Sequence, residues 1–186
     1  MYLVPFDEIN KFGESLRVKY FNDEGKIKSR EAYEDMLDEM LDLFLLAYAN
    51  GVTATNLSLS SNYYPTLDEV MGTVDAKVAD KTWRERMREY YENGGTVDDV
   101  VRIVETETHR IANTAALEDA RKSGAKFKTW VTMMDDRVRE QHSYLESETV
   151  GIDEDFYTYD GDFGQAPGLF QTAENNVNCR CELIFS

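Results

Sequence analysis

Gly124-Ala125-Lys126-Phe127-Lys128-Thr129-Trp130-Val131-Thr132-Met133 marks the point at which this 186-residue chain changes character. In the runs between Ser29 and Gly124, apolar residues return every three or four positions, the repeat of a helix with one buried face. From Phe127 to Met133, bulky side chains alternate with smaller polar ones, the period of a strand. A glycine between the two periods is a natural helix stop. Helices first and short strands afterwards predict an α+β chain, with a helical N-terminal region followed by a small, mainly antiparallel β-sheet domain carrying a short helix. The division is expected between residues 95 and 96, with an arm and two helices before it and the sheet-bearing domain after it.

Upstream of Gly124, the last long helix is expected to open at Thr96-x-x-Asp99, a capping box, and to bury Val97, Val100, Val101, Val104, Thr108, Ile111 and Ala115. A second box, Thr66-x-x-Glu69, opens a helix expected to run through Val70, Val74, Val78 and Met87 to Asn93-Gly94-Gly95. A third amphipathic run follows Ser29, with Tyr33, Met36, Leu37, Met40, Leu41, Phe44 and Tyr48 on one side and Asn50-Gly51 as its expected end. Residues 1–28 show no sustained period and read as an arm.

Downstream, Asp135 or Asp136 is expected to cap a short helix reaching about Leu145, with Asp135, Val138, His142 and Leu145 on one face. Residues 149–152, 156–159 and 179–185 are strand candidates, and Asp160-Gly161 is a tight-turn signal.

Thirty-six acidic against 20 basic side chains give a formal net charge of −16. Phosphate neutralisation needs clustered cations, so duplex DNA is not the expected main partner and DNA contact is secondary. The basic residues Arg121, Lys122, Lys126 and Lys128 read as a cationic helix end. Leu43 to Ala49, the most apolar stretch, is far shorter than the ~20 residues that cross a bilayer, so no membrane contact is expected. The opening Met1 to Glu8 lacks the basic start and apolar core of a signal peptide. The chain is therefore expected to fold in a cytoplasm with its cysteines reduced.

Both cysteines fall in Asn178-Cys179-Arg180-Cys181. Side chains two apart on a strand share a face, so the sulfurs of Cys179 and Cys181 can converge. Two thiolates and an imidazole, here His142, are a soft ligand set suited to a structural zinc, with Asp135 as the candidate fourth ligand. The bland alternative is a buried histidine satisfied by a neighbour. Glu107 and Arg110 are spaced to pair on a helix surface, where such pairs contribute little. Asp153, Glu154, Asp155, Asp160 and Asp162 lack the ladder of a calcium loop and read as a solvated acidic turn. No phosphate-binding glycine loop, G-x-S-x-G elbow or H-E-x-x-H is present.

Taken in order, these pieces resemble the phage Mu F-like family, the minor head or head morphogenesis proteins of tailed bacteriophages. The resemblance runs over about residues 96–183. It is carried by Thr106-Glu107-Thr108 with Arg110 and Asn113, by Lys128-Thr129-Trp130, and by Asp135/Asp136-Arg137-x-Arg139 with His142. Pro167-Gly168 and Asn178-Cys179-Arg180-Cys181 close it. Leu145-Glu146-Ser147 stands where the family usually has Leu-Asp-Gly or Leu-Asn-Gly, and the helical region ahead is short for the family.

The resemblance implies a virion component made in the host bacterial cytoplasm, placed inside the capsid near the portal, and in some members released with the DNA. Its implied partners are the portal protein and the major capsid or scaffold protein, and it implies no enzyme. In this reading His142, Cys179 and Cys181 are structural, Arg137 and Arg139 tie the short helix to acidic groups, and Trp130 fills the core. Two competing expectations remain from the residues. One is a metal-dependent hydrolase at His142, Cys179 and Cys181 with Glu107 or Asp135 as general base. The other is an acidic module that neutralises a basic partner.

Overall fold

The computed structural model describes residues 6–78 and 80–186. Residues 1–5, part of the opening stretch read above for a leader, lie outside them. Five helices come first: α1 (Phe6–Tyr20), α2 (Arg30–Leu59), α3 (Leu67–Val74), α4 (Trp83–Asn93) and α5 (Val97–Lys122). They are followed by β1 (Phe127–Val131), α6 (Glu140–Ser143), β2 (Thr149–Gly151), β3 (Phe156–Tyr157), β4 (Phe163–Gly164), α7 (Ala173–Asn176) and β5 (Glu182–Phe185). The architecture is α+β, with helices first and small antiparallel sheets after, as the change of period at Gly124 predicts.

Three helical expectations are corrected. The arm is largely a helix, α1, which buries Ile9 and Leu16, with Phe12 packed against the same core. The intervening charged residues hide this spacing in the sequence. The expected second helix is two. Thr82 and Glu85 form a further capping box that restarts the chain as α4, and the Trp83 indole N–H donates to Asp75 at the end of α3, 3.1 Å away. Finally, α2 passes through Asn50-Gly51 and ends at Ser60, whose φ of 55° reverses the chain. Gly51 serves a crossing instead of a stop: a Cβ there would collide with the carbonyl oxygen of Ala112 on α5. Beside it the Thr55 hydroxyl donates to the Ala116 carbonyl at 3.3 Å.

Two apolar clusters result. The first gathers Met36, Met40 and Phe44 of α2, Trp83 and Met87 of α4, and Val104 and Ile111 of α5. Phe44 meets Trp83 edge to face, with centroids 5.0 Å apart. Each such side chain contributes roughly 1.5–3 kcal/mol through burial. The second cluster holds Leu117 from the last turns of α5 with Trp130, Leu145, Phe156, Ala166, Phe170, Cys179, Cys181 and Leu183. α5 runs through both.

The main sheet has the order β2-β1-β5, all antiparallel, with Trp130 opposite Leu183 and Phe127 opposite Gly151. Lys128 and Trp130 point inward from β1, and Phe127, the bulkier partner of the alternation, is half exposed. The buried Lys128 ammonium donates to the Gln165 carbonyl at 2.9 Å, and burial, with Arg121 nearby, pulls it down to about 8. β3 and β4 form a separate hairpin around Asp160-Gly161, where Gly161 has a φ of 89°. Among the described residues no helix is long and apolar enough to cross a membrane.

Candidate functional site

His142, Cys179 and Cys181 meet inside the second cluster, each no more than 3% exposed. Their ligand atoms lie within 4.8 Å of one another. His142 Nδ1 is 3.5 Å from the Cys179 sulfur and 3.6 Å from that of Cys181. Trp130 and Phe170 pack on the imidazole, with centroids 5.4 and 5.6 Å away, and fix its plane. Both cysteines are free thiols. Cys179 is held well below its ordinary value by the neighbouring Cys181 and by His142, while Cys179 and burial push Cys181 up.

The local scaffolding differs from the expected one. The cysteines sit in the extended lead-in to β5 and not within a strand. Their strap is fastened from two sides. The amide of Asn178 donates to Thr106 Oγ1 at 3.1 Å, and Asn113 Nδ2 donates to the Cys181 carbonyl at 3.1 Å, both from α5. From the other side the Arg139 guanidinium donates to the Val177 carbonyl. Arg139 therefore holds a backbone carbonyl where an acidic partner was expected, and Arg137 stands exposed.

Asp135 does not join the cluster. Residues 135–138 form a turn, with helix only at α6, and the exposed Asp135 carboxylate takes a two-pronged ion pair from Arg180, at 2.8 and 2.5 Å. That guanidinium holds Asp135 below its ordinary value. The fourth-ligand position expected for Asp135 is not where its carboxylate lies, because Arg180 holds it outside the His142, Cys179 and Cys181 group.

Glu107 and Arg110, expected on a surface, are both 1% exposed. Arg110 Nε donates to Glu107 at 2.7 Å, and Arg86 of α4 reaches the other carboxylate oxygen. Arg110 also donates to the carbonyls of Thr73 and Val74, at 3.0 and 3.2 Å, so it caps the C-terminal end of α3. Gly168 lies directly against it: a Cβ there would stand 2.8 Å from the Arg110 Cβ. One face of α5 thus ties together α3, α4, the Pro167-Gly168 turn and the cysteine strap. Glu107 floors a groove of about 560 Å³ between α4, α5 and α7.

Two groups escaped the sequence reading. Asp162, assigned to a solvated turn, is 8% exposed and accepts from the amides of Phe163, Gln171 and Thr172, the Thr172 hydroxyl and Asn175 Nδ2. Burial acts to raise its pKa, yet these bonds win and hold it below 3.8. Its position one residue after Asp160-Gly161 gave no sign of this. His109 is buried on α5, where burial pulls it down to about 4. It falls outside the His142 cluster, and a lone histidine at a helical position carries no spacing signal.

The basic residues at the end of α5 are dispersed. Arg121 pairs with Asp153, Lys122 with Glu69, and Lys128 is buried.

A family model described as phage Mu protein F like protein matches residues 60–184. The chain belongs to this family. Its Mu F-like part thus takes in α3 and α4 as well as α5 and the sheets. Minor head protein GP7 of Bacillus phage SPP1 is 36% identical over 83 residues, covering 43% of this chain and 27% of that protein. NAD(+)–arginine ADP-ribosyltransferase EFV of Enterococcus faecalis is 28% identical over 151 residues, covering 63% of this chain and 31% of that protein. The Mu F-like chain spans less than a third of either relative. No solved structure matches it.

Proposed function

We propose that the chain is a minor capsid protein of a tailed bacteriophage that associates with the portal protein during head assembly and stays inside the capsid beside it. Residues 96–186 carry the assembly motifs in this reading, and the helical region of residues 1–95 supplies α1 to α4, which pack on α5. The observation that carries it is the internal use of the motif residues. Glu107 is spent on Arg86 and Arg110, Asn113 on the Cys181 carbonyl, and Asp135 on Arg180. Neither of the two carboxylates considered as a general base is free to take a proton from a water at His142. A framework whose polar residues brace its own segments suits a part fitted into a larger assembly.

On the same ground this region is not an enzyme. The transferase activity in the name of the Enterococcus faecalis relative belongs to a protein of which this chain spans 31%. Incubated with NAD+ and an arginine-bearing acceptor, the chain is expected to transfer nothing.

The decisive experiment expresses the chain with the portal, scaffold and major capsid proteins encoded beside it, and counts it in purified heads before and after DNA release. Co-purification with the portal and a low, fixed copy number support the reading. Heads that assemble, package and eject normally without the chain, together with no portal association, overturn it. Loss of the chain from emptied particles would add release with the DNA.

A further inference from the structure

We infer that His142, Cys179 and Cys181 form a buried zinc site, with Nδ1 and the two sulfurs as ligands and a water as the fourth. Such a site belongs to the chain's own side chains and stands apart from any docking partner.

The distances carry it. Tetrahedral zinc holds nitrogen at about 2.0–2.1 Å and thiolate sulfur at about 2.3 Å, which puts nitrogen and sulfur about 3.6 Å apart. The observed separations from Nδ1 are 3.5 and 3.6 Å, to both sulfurs at once. A hydrogen-bonded histidine has no need of that symmetry, because Nδ1 carries at most one proton and can direct it at only one sulfur. Donor chemistry agrees: two thiolates and one imidazole, buried together in a chain with no other cysteine, match the soft preference of zinc.

The surroundings define the fourth position. A void of about 10 Å³ adjoins His142 and Cys181, bounded by Asn178 and by Arg137, Arg139 and Arg180. That volume suits a single water. It admits no substrate, so the metal here fastens α6 to the cysteine strap, and the two positive charges of zinc balance the two thiolates. Binding displaces the thiol protons, which leave to solvent.

The test uses the full chain, expressed with zinc supplied and purified under reducing conditions. A single equivalent of zinc by elemental mass spectrometry is expected. After its removal, cobalt(II) should produce the visible bands of a tetrahedral centre with thiolate charge transfer in the near ultraviolet. Cys179→Ser combined with Cys181→Ser should abolish both signals. Asp135→Asn should leave them unchanged, and loss of binding in that variant would overturn the water-completed site. Wild-type chain that carries no zinc and gives no tetrahedral cobalt spectrum overturns the inference outright, as does a Cys179–Cys181 disulfide in the reduced preparation. The wild-type chain alone is decisive, so misfolding of the double variant leaves the test intact.

Discussion

The helical body and the sheet lobe are held together by different means. In the body, long helices close on a continuous apolar cluster that includes Met36, Met40, Phe44, Trp83 and Met87. In the lobe, strands of two to five residues surround a smaller cluster, and polar clasps supply the rest. Asp162 gathers five donors there. The Asn176 side chain accepts from the Phe170 amide at 2.8 Å and donates to the Phe170 carbonyl at 2.6 Å. Glu146 takes both the amide and the hydroxyl of Thr132, at 2.7 and 2.6 Å. A small unit that cannot bury enough apolar surface has to order its loops with charged and amide groups. The contrast matters because the carboxylate clasps titrate and each clasp can be broken singly, and an apolar core does neither.

Each region contains one of the two tryptophans, so the contrast can be tested directly. The largest effect is expected for Trp130→Ala, at about 3–5 kcal/mol for a fully buried indole. Cys179 and Cys181 should become rapidly reactive to a thiol reagent at urea concentrations where Trp83 emission still reports a folded body. Equal shifts in both probes would show one cooperative core and break the comparison. Next, Glu107→Gln leaves Arg110 and Arg86 without their carboxylate and should cost about 3 kcal/mol. This loss should appear first at Trp83, because α3 and α4 are the elements released.

Asp162→Asn should cost about 2 kcal/mol at neutral pH, seen in thiol reactivity and not at Trp83. The folded pKa of Asp162 lies below its ordinary 3.8. Its contribution is therefore fully present above the unfolded value and is lost as pH falls through the folded value. The wild-type lobe should thus lose stability on acidification below about pH 4, and the variant should show a flatter acid limb. The smallest effect is expected for Asp153→Asn. Its partner Arg121 bridges α5 to the lobe, but Asp153 is 79% exposed, and the change should stay within about 0.5 kcal/mol in urea unfolding.

What could be read from the residues follows the same divide. Thr66-x-x-Glu69 and Thr96-x-x-Asp99 mark helix starts because the capping chemistry is local, and Asp160-Gly161 marks the hairpin for the same reason. Asn50-Gly51 misleads, since the reason for a glycine there lies on α5, 61 residues from Gly51 at Ala112. Spacing shows that Glu107 and Arg110 can pair. Whether the pair is buried depends on Gly168 and α3 closing over it, which no local pattern states. The meeting of His142 with Cys179 and Cys181 was legible from residue chemistry, and the rejection of Asp135 was not, because Arg180 reaches it only after the strap has folded. Lys128 sits inside and Phe127 outside because the register of β1 places the lysine beside the Gln165 carbonyl, and hydrophobicity alone assigns the opposite faces.

At Gly51 the main chains of α2 and α5 come so near that only a hydrogen atom fits between them. The distance between the two longest helices is therefore set by backbone, and neighbouring side chains can drift without altering it. With 26 residues, α5 is a rod about 39 Å long. A methyl group added at position 51 would lever that rod as a whole, tilting the Glu107 brace at one level and the Leu117 contact further along. Substitution pressure at a helix crossing remote from the sulfurs is thereby coupled to the posture of the entire lobe.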